Sequence, residues 1–112
     1  MALSLSRRSR EPAPHGATGA ARVDRRTKNL TKRLQPGEIA VIDHEDIDRV
    51  SAEALVACRP AAVINAAKSI SGRYPNAGPQ ILMEAGIPVI DGAGPQTMTA
   101  LREGQWLRID SG

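Results

Sequence analysis

Phenylalanine is absent from this 112-residue chain, tryptophan and tyrosine occur once each, and aromatics make up only 2% of it. A core of stacked rings is therefore excluded. Ala, Val, Ile and Leu must do the packing, which suits a tightly layered α/β domain. Cysteine also occurs once, at Cys58, so no disulfide can form within the chain, and a reducing, cytoplasmic setting is the expectation. No apolar run approaches the roughly 20 residues that span a bilayer. The opening Met1–Arg10 places its arginines after a very short apolar stretch, the reverse of a secretory signal.

What is present is a sharp division of charge. From Met1 to Gly37 nine Lys and Arg stand against two acids, a net +7, whereas the remainder carries −4. Residues 1–18 combine Ser, Arg, Pro and Gly without apolar periodicity and read as a disordered basic lead-in. Arg22, Arg25, Arg26, Lys28, Lys32 and Arg33 continue the basic arm into a short helix. There Asp24 serves as a cap, Leu30 and Leu34 share one face, and Pro36-Gly37 ends the element. Such an arm suits an anionic membrane surface, weakly, or the acidic face of its own domain or a partner. Without aromatics interleaved to stack on bases, nucleic acid is not expected.

From Gly19 onward the chain alternates. Ile39 to Asp43 reads as a buried strand, and a helix follows with Ile47, Val50 and Leu55 at apolar spacing. Ala61 to Ala66, Ile87 to Asp91 and Gln105 to Asp110 read as further strands. Gly78 to Gly86 and Pro95 to Gly104 read as helices between them. The expectation is a small layered α/β domain, with a mostly parallel sheet of about four strands and three or four helices. In the last strand Trp106 and Arg108 alternate with Leu107 and Ile109, as on a half-covered edge strand, antiparallel if any is.

Three constellations bear on chemistry. Ser69 to Gly78 leads from a strand end into a helix start, where free amides and the positive dipole end favour an anion. Asn65, Ser69, Ser71, Gly72, Arg73, Tyr74, Asn76 and Gly78 are its candidate anion- or partner-binding residues, with Lys68 adding charge. The spacing is neither a Walker loop nor the dinucleotide fingerprint. A rigid connection, in which Pro75 and Pro79 fix the backbone and the polar side chains satisfy loop amides, accounts for the same residues equally well. Asp43, His44, Glu45, Asp46 and Asp48 form the second set, read as helix-start acids rather than metal ligands. Asp43, Asn65 and Asp91 form the third, since each closes a strand and parallel strands share one C-terminal edge. No catalytic triad, paired carboxylates or zinc pattern can be assembled, so no catalytic residue, metal or cofactor is assigned to the chain. Cys58 reads as packed rather than reactive.

The runs "VDRRTKNL" and "SGRYPN-GP", within a stretch from Gly19 to Asp110, resemble the N-terminal region of the SteA family of actinobacterial cytokinetic ring proteins, also labelled thiamin pyrophosphokinase-like. In that family the region precedes an ATP-binding, kinase-like domain and a membrane-spanning segment, and this chain stops where the second domain would begin. The resemblance implies a truncated N-terminal module, residues 19–112, acting in cell division. Its partners would be a membrane division protein and the missing domain, its place the septum, with membrane anchoring and any ATP or kinase activity belonging to the full-length form. The order of "GEIAVID", "AAVIN" and "AGIPVID" is also similar to the swivelling β/β/α domain of phosphoenolpyruvate-utilising enzymes, but "SGRYPNAG" stands where that family has its catalytic histidine. That likeness implies architecture alone. The alternative function is a phosphate- or nucleotide-binding enzyme domain using the Ser69–Gly78 loop.

Overall fold

A computed structural model describes residues 2–5, 17–72 and 77–110. Six strands form one mixed sheet: β1 (Ala2–Leu5), β2 (Ala17–Val23), β3 (Ile39–Ile42), β4 (Ala62–Asn65), β5 (Val89–Ile90) and β6 (Trp106–Asp110), in the order β1-β6-β2-β3-β4-β5. Among the described residues four helices lie between β2 and β6: α1 (Thr27–Leu30), α2 (Arg49–Cys58), α3 (Gly78–Glu84) and α4 (Thr97–Ala100). The chain is thus an α/β domain. β2 to β5 run parallel to one another, with a helix between each successive pair, whereas β6 runs antiparallel to both β1 and β2.

β2 changes partner along its length. Residues 17–20 pair with β6 and residues 21–23 with β3. This is where the sequence reading falls short: the sheet is mixed rather than mostly parallel, and it has two more strands than the four expected. β6 does alternate as expected, with Leu107 and Ile109 buried and Trp106 and Arg108 half-buried, but it lies between two strands and the sheet ends at β1 and β5. The basic lead-in lies mostly outside the described residues. Its described parts, Ala2–Leu5 and the start of β2, are strands, because β6 offers a hydrogen-bonding edge on each side that local composition does not reveal.

The strands β3 and β4 are buried throughout and separate two cores. On one face Ala40, Ile42 and Val63 meet Leu30 and Leu34, Ile47, Ala52 and Leu55, and Leu82, so α1, α2 and α3 share that side. On the other, Ile39, Val41, Ala62 and Ile64 meet Met98 and Leu101 of the α4 region, together with Leu107 and Ile109 of β6. Period-two alternation along each strand divides the side chains between these cores. Val50, expected on the buried face of α2, is 73% exposed. The helix begins at Arg49 and turns Ala52 and Leu55 inward, which places Val50 on the opposite side.

Two arginines of the basic arm, Arg22 and Arg33, are paired with acids within the fold. The Arg22 guanidinium donates to Glu38 (2.7 Å) and Glu103 (3.3 Å), and Arg33 donates to Glu103 (3.1 Å), Asp24 (3.0 Å) and the Val23 carbonyl (2.8 Å). Arg25 reaches Asp43 at 4.0 Å, while Arg26, Lys28 and Lys32 are exposed. The N-cap of α1 is Arg26, with no side-chain cap, so Asp24 does not cap the helix as expected; it accepts from the Arg26 amide at 3.0 Å in a turn before α1, and this bond with the Arg33 charge holds its carboxyl below the usual range. Glu103 also accepts from the Val23 amide at 2.7 Å. Its hydrogen bonds from Arg33, with those from Val23 and Arg22, pull its carboxyl down to about 2.

A carboxyl held lower in the folded chain than in the unfolded one stabilises the fold at pH above the ordinary value of 4.5 and loses that contribution as pH falls toward about 2. The melting temperature should therefore decline across this window, and Glu103→Gln should melt lower than the parent at neutral pH and decline less steeply in acid, as followed by circular dichroism.

Candidate functional site

The C-terminal ends of β3, β4 and β5 meet on one edge, where the ligand sites of open parallel sheets form. Asn65 closes β4 and is fully buried. Its carboxamide oxygen accepts from the amides of His44 (3.0 Å) and Ala67 (3.1 Å). The amide nitrogen donates to the His44 carbonyl and the Ser69 hydroxyl, both at 2.9 Å. All four of its hydrogen-bonding positions are therefore filled. His44 Nδ1 lies 2.8 Å from Thr27 Oγ1, which ties the same edge to the start of α1.

The loop after β4 is held as tightly. The Ser69 amide donates to Asp91 Oδ1 at 2.7 Å, and the Ser71 amide and hydroxyl each donate to Asp46 at 2.7 Å. Backbone bonds from Asp46 to the Lys68 carbonyl (3.0 Å) and from Ile47 to the Ser69 carbonyl (3.2 Å) complete the seam. Asp46 adopts a left-handed conformation, φ 54°, which an Asx residue tolerates and which turns its carboxylate back toward Ser71. Asp48 stands one step further on as the N-cap of α2, accepting from the Ser51 amide at 3.1 Å, and hydrogen bonds from Ser51 hold its carboxyl below the usual range.

The chain leaves β4 toward the helix face and leaves β5 toward the opposite face, so a crevice would open between these two exits. It is closed by the protein itself. The amides of Gly92, Ala93 and Gly94 donate to the carbonyls of Ala67 (3.1 Å), Asn65 (2.9 Å) and Ala66 (3.0 Å). Gly92 can fold the chain back this way because it takes φ 59° without a side-chain penalty.

The candidate residues thus divide. Asn65 and Ser69 are buried, Ser71 is half-buried, and Gly72 is exposed with φ 88°. Arg73, Tyr74 and Asn76 lie outside the described residues. Gly78 is buried for packing: a Cβ there would strike the Ile47 carbonyl oxygen, so α3 docks at this point with no room for a side chain. α3 has seven residues, and Ala77 at its N-cap has no side chain to cap it. Of the strand-end acids, Asp91 joins the Asn65 network, whereas Asp43 faces Arg25. The acids that occupy the loop amides, Asp46 and Asp91, set negative charge where an anion would have to sit. Among the described residues no three His, Cys, Asp or Glu side chains gather to hold a metal, and no helix is long and apolar enough to cross a membrane. Cys58 is half-buried, its thiol donates to the Thr31 carbonyl at 3.4 Å, and burial pushes its pKa up.

The sequence reading missed an opening beside this network. A cavity of about 470 Å³ lies between the loop, α3 and β5, and its lining includes Ser69, Asp91, Ile70, Met83 and Val89. Ile70 and Met83 are 57% and 70% exposed. Met83 gave a signal, standing next to the buried Leu82 on a helix that turns it outward. A scan against protein-family models finds none that matches the chain, and a search of curated proteins returns no match either.

Two substitutions test the internal role of this edge. Asn65→Ala should destabilise the domain by about 2–4 kcal/mol in urea unfolding, since it strands several buried polar groups at once; a ligand-contact residue would show no such cost. Gly78→Ala should cost on the order of 1–3 kcal/mol by the same measurement, because α3 must back away from the Ile47 carbonyl.

Proposed function

We propose that this chain is a non-catalytic interaction module, of the kind the resemblance to the SteA family implies: a domain that meets a partner in cell division while any nucleotide chemistry belongs elsewhere. The observation that carries this reading is the self-sufficiency of the strand-end edge. Asn65 is saturated, the Ser69 and Ser71 amides are taken by Asp91 and Asp46, and the crevice between the β4 and β5 exits is filled by backbone. A catalytic or anion-binding edge keeps donors directed at the ligand. Here the Ser69 and Ser71 amides turn inward, and the lining beside them is largely apolar among the described residues. Large side chains left exposed around a concave surface are the mark of an interaction site.

On this reading the partners are proteins, a membrane division protein and a kinase-like domain of the same family among them, and the septum is the place of action. Calorimetric titration of the purified chain with ATP, thiamin and inorganic phosphate should give no saturable heat. A stoichiometric heat that disappears in Arg73→Ala would overturn the proposal and assign the loop to a phosphate or nucleotide. In dividing actinobacterial cells a fluorescent fusion carrying this domain should gather at the septum, and a uniform distribution would argue against the division role.

A further inference from the structure

The cavity beside the loop has a shape and a charge that narrow what it accepts. At about 470 Å³ it falls within the 300–1,000 Å³ range typical of sites for a small group or short segment, and is too small for the face of a folded domain. Ile70, Pro79, Met83, Ile87 and Val89 make it apolar, and among the described residues of its lining Asp91 is the charged one. The Ser69 amide fixes Asp91 through Oδ1 at 2.7 Å, which leaves the other carboxylate oxygen for a donor brought by the occupant. A carboxylate set among apolar side chains favours a cation flanked by apolar surface.

The groove also runs along the free edge of the sheet, since the strand order ends at β5. The Pro88 carbonyl accepts from the Val63 amide at 2.9 Å, so it points inward to β4. Backbone carbonyls alternate in direction along a strand, and that of Val89 therefore faces the open edge. β5 is two residues long and follows a proline, which limits strand addition to a short segment rather than a long pairing.

We propose that this groove receives a short extended segment of a partner protein in which apolar side chains flank a lysine or arginine. The apolar side chains lie against Ile70, Met83 and Ile87, the cation meets Asp91, and the segment's backbone meets Val89. The inference rests on the interaction-module reading and names the surface through which it acts. The net charge of +3 on the whole chain opposes indiscriminate capture of cationic peptides, so attraction must come from the groove.

The test is fluorescence anisotropy with a short labelled peptide of alternating leucine and arginine, against versions with arginine replaced by glutamate or leucine by serine. The parent peptide should bind saturably, and affinity should fall roughly tenfold or more for either altered peptide and in Asp91→Asn or Met83→Ser. The Asp91→Asn change keeps an acceptor for the Ser69 amide, and Met83 is exposed, so both variants should melt as the parent does. Absence of saturable binding, or equal binding by both variants, would sink the groove. Displacement by hexylamine at a comparable concentration would make it a small-amine site and overturn the peptide assignment. Binding that survives both variants would remove the groove yet leave the interaction module standing, whereas phosphate or ATP heat would remove the module.

Discussion

The carboxamide of Asn65 holds the functional edge together. It is fully buried at the end of β4 and bonds both to the backbone of the neighbouring strand's exit, at His44, and to its own loop, at Ala67 and Ser69. Only an amide side chain presents two donors and two lone pairs in one rigid plane at this length. A carboxylate would face the His44 carbonyl with like charge, and a hydroxyl would leave positions unfilled. Buried and complete, the network fixes where Ser69 lies, and Ser69 in turn places its amide on Asp91 and its carbonyl on Ile47.

From that constraint the chemistry of the edge follows. In open α/β sheets a ligand enters where successive connections leave for opposite faces. This chain has such a point between β4 and β5, and covers it with the Gly92–Gly94 amides. Negative charge from Asp46 and Asp91 stands where a phosphate would need positive potential. The same bonds that close the crevice hold Ile70 outward, at the lip of the groove against α3 and β5. The bonded Ser69–Ser71 backbone and the open groove are thus two sides of one arrangement.

The opposite end of the molecule is governed by charge. Glu103, in the turn before β6, draws Arg22 of β2 and Arg33 beyond α1 to one carboxylate, and accepts the Val23 amide as well. An arginine pair that reads as an arm in the linear chain is thereby part of the clamp between β2 and the last turn. Among the described residues of that arm, Arg26, Lys28 and Lys32 present their charge outward.

Local order was written in the chain. The apolar runs at Ile39 and Ala62, Asp48 before α2, and the glycine-proline punctuation around α3 specify short strands and helices in alternation, because strand burial and capping are decided by near neighbours. The alternation of Trp106 to Ile109 was equally legible. Tertiary structure alone decided the rest: that β2 exists and changes partners, that β6 lies inside the sheet, that Val50 faces solvent, and that Asp91 answers Ser69 from 22 residues away. The serines and Asn65 read equally well as a site or as scaffold, because a hydrogen-bonding group shows its chemistry but not its partner. Which amides remain free for a visitor depends on what distant segments bring to them, and that is set only when the sheet closes.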